Sequence, residues 1–222
     1  MKIAVLEEIL QENDAVAEEN RRAFAEHGTY ALNLMSSPGS GKTSLIERMV
    51  ERLGGRVRVG VVEGDIETTR DSERLERLGV PVVQIMTGGA CHLDARMISC
   101  ALRELDLGVL DAVVIENVGN LVCPAEFKVG ENDKAVILSV PEGEDKPLKY
   151  PLMFRESSAL VLNKVDLIPH TPFSLKKARG YALQINPHLQ LFEVSCLTGQ
   201  GVDSWVAWFS RRVEESREKR RI

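Results

Sequence analysis

Short, strongly apolar runs alternate with longer stretches of mixed polarity along this chain. The runs are Tyr30–Met35, Val57–Val62, Val82–Met86, Asp111–Gly119, Ala135–Val140, Ala159–Lys164 and Leu191–Ser195. Most are apolar at successive positions, as strands covered on both faces require. Between them the spacing changes to that of helices: Ser44–Val50, a segment through Leu75 and Leu78, and one with Ala95, Ile98, Ala101, Leu102 and Leu105 on one face. Val202 to Arg221 reads as a final helix. Residues 2 to about 27 also read as helical, with Leu6, Ile9, Leu10, Val16, Ala23 and Phe24 on one side, and Asn13-Asp14 predicts a division into two helices. The fold class that follows is α/β: a single P-loop NTPase domain over residues 29–222, its mostly parallel sheet flanked by helices, preceded by a helical segment over residues 1–28.

The P-loop assignment rests on Ser36-Ser37-Pro38-Gly39-Ser40-Gly41-Lys42-Thr43, which stands between the first strand and the next helix. Small residues there let backbone N–H groups turn toward a phosphate, and the N-terminus of the new helix adds its unpaired donors. Pro38, Gly39, Ser40, Gly41, Lys42, Thr43 and Ser44 are therefore the expected phosphate cradle, with Lys42 on the terminal phosphates and the Thr43 hydroxyl on Mg²⁺. Ser36 replaces the first glycine of the usual pattern.

Asn163-Lys164-Val165-Asp166 ends one apolar run and Ser195-Cys196-Leu197 ends the next. A carboxylate at Asp166 accepts from both the N1 and N2 donors of guanine, a pair adenine lacks, so GTP/GDP is the expected nucleotide. Lys164 would lie along the base, with an N–H near Cys196 on the guanine oxygen. Carboxylates cluster after the second run, at Asp65, Glu67 and Asp71, and Glu116 with Gly119 stands where GTPases have Asp-x-x-Gly. The expected catalytic set is Lys42, Asp65, Asp71 and Glu116. Thr43, Asp65 and Glu116 would serve Mg²⁺, and Gly119 would donate to the γ-phosphate. No glutamine stands in an evident water-orienting position, which predicts slow hydrolysis.

With a net charge of −5 the chain has no general basis for binding nucleic acid or an anionic membrane. No apolar run reaches the roughly 20 residues that span a bilayer. Glu7 and Glu8 stand where a signal peptide would be apolar, so a cytoplasmic protein is expected. Four cysteines in 222 residues do not make a disulfide framework, and reduced thiols are core residues, reactive groups or metal ligands.

Beyond these general motifs, Gly88-Gly89-Ala90-Cys91-His92-Leu93, Glu116 to Pro124 with its Cys123-Pro124, Val62 to Asp65, and Glu142 to Pro151 resemble the HypB family of hydrogenase nickel-incorporation proteins, metallochaperone GTPases of the SIMIBI class. The resemblance implies delivery of nickel during [NiFe]-hydrogenase maturation, a homodimer formed with GTP, and a HypA-like nickel protein and the hydrogenase large subunit as partners. It also implies that Lys146 or Lys149 crosses to the partner's nucleotide. Some members carry an N-terminal cysteine motif or a histidine-rich stretch; here the first cysteine is Cys91 and there are four histidines. Metal handling is therefore expected at Cys91, His92 and Cys123, soft to borderline ligands suited to Ni²⁺ or Zn²⁺. Cys91 and His92 are expected to head a helix whose dipole helps a thiolate form. Cys100 and Cys196 read as buried apolar thiols. Competing readings are a urease-accessory or cobalamin-enzyme chaperone GTPase, a regulatory GTPase with structural cysteines, and a small-molecule kinase.

Overall fold

A computed structural model describes residues 2–66 and 69–220, apart from the side chains of residues 2–6. Glu67 and the Leu6 side chain lie outside the described residues. Seven strands form one sheet: β1 (Tyr30–Ser36), β2 (Val59–Asp65), β3 (Val82–Met86), β4 (Ala112–Glu116), β5 (Asp133–Ser139), β6 (Ala159–Asn163) and β7 (Gln190–Glu193). Their order is β3-β2-β4-β1-β5-β6-β7. Every pairing is parallel, so all strands end on the same edge. β1 lies at the centre with all seven residues buried, and the loop it feeds occupies the middle of that edge. The direction of the second run ends later than its apolar stretch: β2 continues through Glu63, Gly64 and Asp65, which therefore belong to the strand.

The helices are α1 (Lys2–His27), α2 (Lys42–Leu53), α3 (Arg70–Glu76), α4 (Ala95–Leu102), α5 (Cys123–Glu126), α6 (Lys146–Lys149), α7 (Pro151–Arg155), α8 (Leu175–Ile185) and α9 (Val202–Arg220). α2 and α9 cover one face of the sheet, where Leu45, Ile46 and Met49 meet Trp205, Phe209 and Val213 in one core cluster. On the other face α1 and α4 cover the β2/β4 half, and α7 and α8 cover the β5/β6 half. α2 stops where the chain turns left-handed at Gly54, whose N–H returns to the Val50 carbonyl. No described helix is long and apolar enough to cross a membrane.

α1 is one uninterrupted helix, not the two that Asn13-Asp14 suggests. Both residues are used for docking. The Asn13 amide donates to the Lys128 carbonyl at 2.8 Å and accepts from the Ala95 N–H at 2.9 Å, while Asp14 pairs with Lys128 at 3.1 Å. The buried residues Asn13, Ala17, Asn20 and Phe24 recur at helical spacing, so half of this stripe is polar. Ile9, expected on it, is exposed. Asn20 donates to the Ala95 and Val129 carbonyls at 2.8 and 3.1 Å.

Asn20→Ala leaves those two buried carbonyls without their donor. A loss of about 1–3 kcal/mol is expected, read as a lower urea midpoint with an unchanged denaturant slope.

Candidate functional site

The loop between β1 and α2 closes on itself around Lys42. The Lys42 ammonium donates to the Ser36 hydroxyl at 3.0 Å, and Ser36 is wholly buried. Gly41 stands at φ 101°, and a Cβ there would sit 2.5 Å from the Asn163 amide nitrogen, so both conformation and space demand glycine. The Ser40 hydroxyl is buried without a hydrogen-bond partner among the described residues. Thr43 donates to Glu116 Oε1 at 2.8 Å, and Ser44 accepts from Arg74 at 3.1 Å. Burial pulls Lys42 below its ordinary range, with Glu116, Asp71 and Glu63 opposing.

Asn163 ties three loops together. Its Nδ2 donates to the Ser40 carbonyl at 2.9 Å, and its Oδ1 accepts from the N–H groups of Lys164 and Cys196 at 2.8 and 3.3 Å. Lys164 turns at φ 61° and lays its ammonium on the Gly39 carbonyl at 2.7 Å. Asp166, Leu167, Cys196 and Leu197 then line a cleft of about 540 Å³ with Gly41 and Arg48. Ser195 is buried and caps its own turn, accepting from the Thr198 N–H at 3.1 Å. Cys196 is buried, as expected, and burial pushes its thiol up to about 11. The Cys196 N–H itself is bonded to Asn163, so the guanine-facing N–H expected near Cys196 would come from a neighbouring residue. Leu197 is 77 % exposed at the cleft mouth.

The carboxylates divide into two tiers. Glu63 and Glu116 are register partners on β2 and β4, both buried, and each has one oxygen without a hydrogen-bond partner among the described residues. Burial pushes Glu63 up to about 8, with Glu116 and Asp65 adding to it, and burial pushes Glu116 up to about 7 against the pull of Lys42. Ligand atoms of Glu63, Asp65 and Asp71 lie within 4.8 Å of one another. Asp71 is also held by Arg74 at 3.0 Å. Orphaned buried oxygens beside a threonine hydroxyl suit a hard divalent cation, so this donor set fits Mg²⁺. Glu63 was not among the expected site residues, nor was Arg74, which bridges Glu47, Ser44 and Asp71 at the cleft. An acid following four apolar strand residues is the signal that marked Glu63; nothing local marked Arg74.

Cys91, His92 and Cys123 also come within 4.8 Å of one another. The segments carrying them leave β3 and β4, which are not neighbours, since β2 lies between. They meet because the first loop crosses over β2 at Gly64: a Cβ there would sit 2.7 Å from the Leu93 side chain. The two sulfurs are 3.1 Å apart as free thiols, and Cys91 Sγ is 3.7 Å from His92 Nδ1. His92 lies against Phe127, ring centroids 4.0 Å apart. Lys134, buried on β5, donates to the Ala125 and Phe127 carbonyls at 2.8 and 3.2 Å, which fixes the far end of the short Cys123 helix. Cys91 and His92 do not head a helix: α4 begins at Ala95, capped by Asp94, which accepts from the Met97 N–H at 2.8 Å. Cys91 and His92 are therefore loop residues, not the first turn of α4. Burial, and then Cys91, hold the Cys123 thiol above its ordinary value, and burial lowers His92. Cys100 is exposed, because Ala95, Ile98 and Ala101 take the inward face of α4.

Residues 30–193 match the family described as "CobW/HypB/UreG, nucleotide-binding domain". The chain is 49% identical over 210 residues to the hydrogenase maturation factor HypB of Azotobacter vinelandii, covering 95% of this chain and 69% of that protein. The chain belongs to the CobW/HypB/UreG family, in its HypB branch. Two solved HypB structures superpose on it. That from Helicobacter pylori, in complex with nickel, gives a TM-score of 0.88 at 38% identity over 92% of this chain and 96% of that one. That from Archaeoglobus fulgidus gives 0.87 at 42% identity over 92% and 100%. The HypB fold thus includes the all-parallel sheet and the P-loop described above.

Glu63 and Glu116 titrate higher in the folded chain than the unfolded value of 4.5, so the folded state holds extra protons from about pH 4.5 to about pH 8. Stability of the nucleotide-free protein is therefore expected to fall as pH rises through that window. Glu63→Gln should stabilise it on the order of 2 kcal/mol at pH 8 and change little at pH 5, as read from thermal unfolding at the two pH values.

Proposed function

We propose that this chain is a GTP-hydrolysing nickel metallochaperone that assists nickel insertion during [NiFe]-hydrogenase maturation. The observation that carries the reading is the convergence of Cys91, His92 and Cys123 at the edge that also carries the P-loop. Two thiols and an imidazole form a soft to borderline set with too few ligands for a closed structural site, so the ion stays exchangeable. Bonds of about 2.3 Å place two sulfurs about 3.8 Å apart at a tetrahedral angle and about 3.3 Å apart at 90°. The 3.1 Å pair therefore opens less for a square-planar Ni²⁺ than for a tetrahedral Zn²⁺. The nickel complex of the Helicobacter pylori relative supports the same cargo.

In this reading the P-loop N–H groups of residues 38–44 and the Lys42 ammonium hold the β- and γ-phosphates. Thr43, Asp65 and Glu116 would hold Mg²⁺, which would supply charge neutralisation for phosphoryl transfer. Asp71 faces the water that attacks the γ-phosphorus. The bond from that phosphorus to the β–γ bridging oxygen breaks, and GDP and phosphate leave. Gly119 donates to the γ-phosphate and senses its loss. Asp166 and Lys164 read guanine, with Asn163 as the strut that holds both loops. The protein works in the cytoplasm as a GTP-dependent homodimer, with a HypA-like nickel protein and the hydrogenase large subunit as partners. Lys149 is paired with Asp145 at 2.6 Å, which makes Lys146 the better candidate to cross the dimer.

Titrating Ni²⁺ into GDP- and GTPγS-loaded protein tests the reading. Tight binding should fall at least roughly tenfold in Cys91→Ala and Cys123→Ala, and light scattering should show monomer with GDP and dimer with GTPγS. Metal binding unchanged in both variants would remove the site and leave a regulatory GTPase. Asp166→Asn should cost GTP affinity and narrow the GTP/ATP ratio by roughly a hundredfold or more; retained discrimination would place base reading elsewhere.

A further inference from the structure

The metal-ligand segments are joined by one buried oxygen. Asn117 follows Glu116 at the end of β4 and is wholly buried. Its Oδ1 accepts from the Leu93 N–H at 3.0 Å and also from the N–H of its own successor, Val118, at 3.0 Å. Its Nδ2 donates to Asn33 Oδ1 at 3.2 Å, and Asn33 donates onward to Glu131 at 3.4 Å, which sets the orientation of both amides. A single acceptor therefore serves the Cys91-His92 loop on one side and the segment running to Gly119 and Cys123 on the other.

Both neighbours of this oxygen lack room to drift. The Leu93 side chain fills the space over Gly64 on β2, and Gly119 packs on Pro38 of the P-loop, where a Cβ would come within 2.9 Å. A second link between the segments, from the Asn120 amide to the Cys91 carbonyl at 3.2 Å, is exposed, so water competes for it.

We infer that the Asn117 carboxamide is the positioning element through which nucleotide state reaches the Cys91, His92 and Cys123 site. The inference rests on the metallochaperone reading above and names how its two sites communicate. Turning the Gly119 N–H onto a γ-phosphate rotates the peptides from 117 to 119, and the Val118 N–H rotates with them. Asn117 Oδ1, anchored through Asn33, cannot keep its geometry to both donors. The Leu93 bond weakens and the Cys91-His92 loop is released. That changes the distance between Cys91 and Cys123, because the two ligands ride on opposite sides of the shared oxygen. By linkage, nickel bound across them alters GTP affinity to the same degree.

The readout is the ratio of Ni²⁺ dissociation constants in the GDP- and GTPγS-loaded chain. The wild type is expected to differ between the two by roughly tenfold. Asn117→Ala should bring the ratio to within about twofold of one, whatever its effect on absolute Ni²⁺ affinity. Asn117→Asp keeps the acceptor but loses the bond to Asn33 that anchors it, so it should shrink the difference as well, and Asn120→Ala should retain it. Amide exchange at Leu93 in the wild type, with GDP and then GTPγS, is an independent reading that needs no variant, and its protection should change. A wild-type ratio of one overturns nucleotide control itself, and the inference with it. A tenfold wild-type ratio that survives Asn117→Ala, or Leu93 exchange that is the same with both nucleotides, overturns the Asn117 link and leaves the metallochaperone reading standing.

Discussion

Because every strand of the sheet runs in the same direction, every chemically distinctive loop of this chain leaves by the same edge. The phosphate loop follows β1, the acids end β2 and β4, and the Asn163-to-Asp166 and Ser195-to-Leu197 segments follow β6 and β7. The Cys91-His92 loop follows β3. Parallel strands require crossovers on the faces, so helices cover both sides and leave that edge as the open crevice where ligands bind in such sheets. A reversed strand would carry its loop to the opposite edge.

Amides do much of the joining at this edge. A carboxamide donates and accepts at once, so one side chain can hold backbone groups from several loops without importing a charge. Asn163 does this for the loops after β1, β6 and β7, Asn117 for the Cys91-His92 loop and the segment that follows β4, and Asn13 and Asn20 for the docking of α1. The buried carboxylates are a different case. Glu63 and Glu116 are held side by side by strand register, each with an unpartnered oxygen. Their burial is unfavourable for the chain alone and suits it to a cation, the kind of local cost that folds concentrate at working sites.

Much of the fold was legible because its signals are local. Successive apolar residues mark doubly covered strands wherever they occur, and Gly39-Ser40-Gly41-Lys42-Thr43 needs only its flanking strand and helix to be read as a phosphate loop. Cys91, His92 and Cys123 could be named as candidate metal ligands from their chemistry and their resemblance to the HypB family, and the structure brings the three together. Local signals misled where a side chain served a distant partner. Asn13-Asp14 read as a break because those residues cap helices, yet both reach across to residues near 128. The second apolar run ends at Val62, yet β2 continues through Glu63, which is buried.

The sequence by itself determined the type and order of the elements, the phosphate loop and the residues able to take a metal. Backbone preferences and side-chain periodicity act over a few residues, so a short window holds them. Tertiary structure alone decided that β2 lies between β3 and β4, that Gly64 lets Leu93 cross it, and that Asn33 and Asn117 meet across 84 residues. It also decided that Lys134 caps the Cys123 helix and that Cys100 faces solvent. Those outcomes depend on which faces pack together, and packing is settled between parts of the chain that share no local pattern.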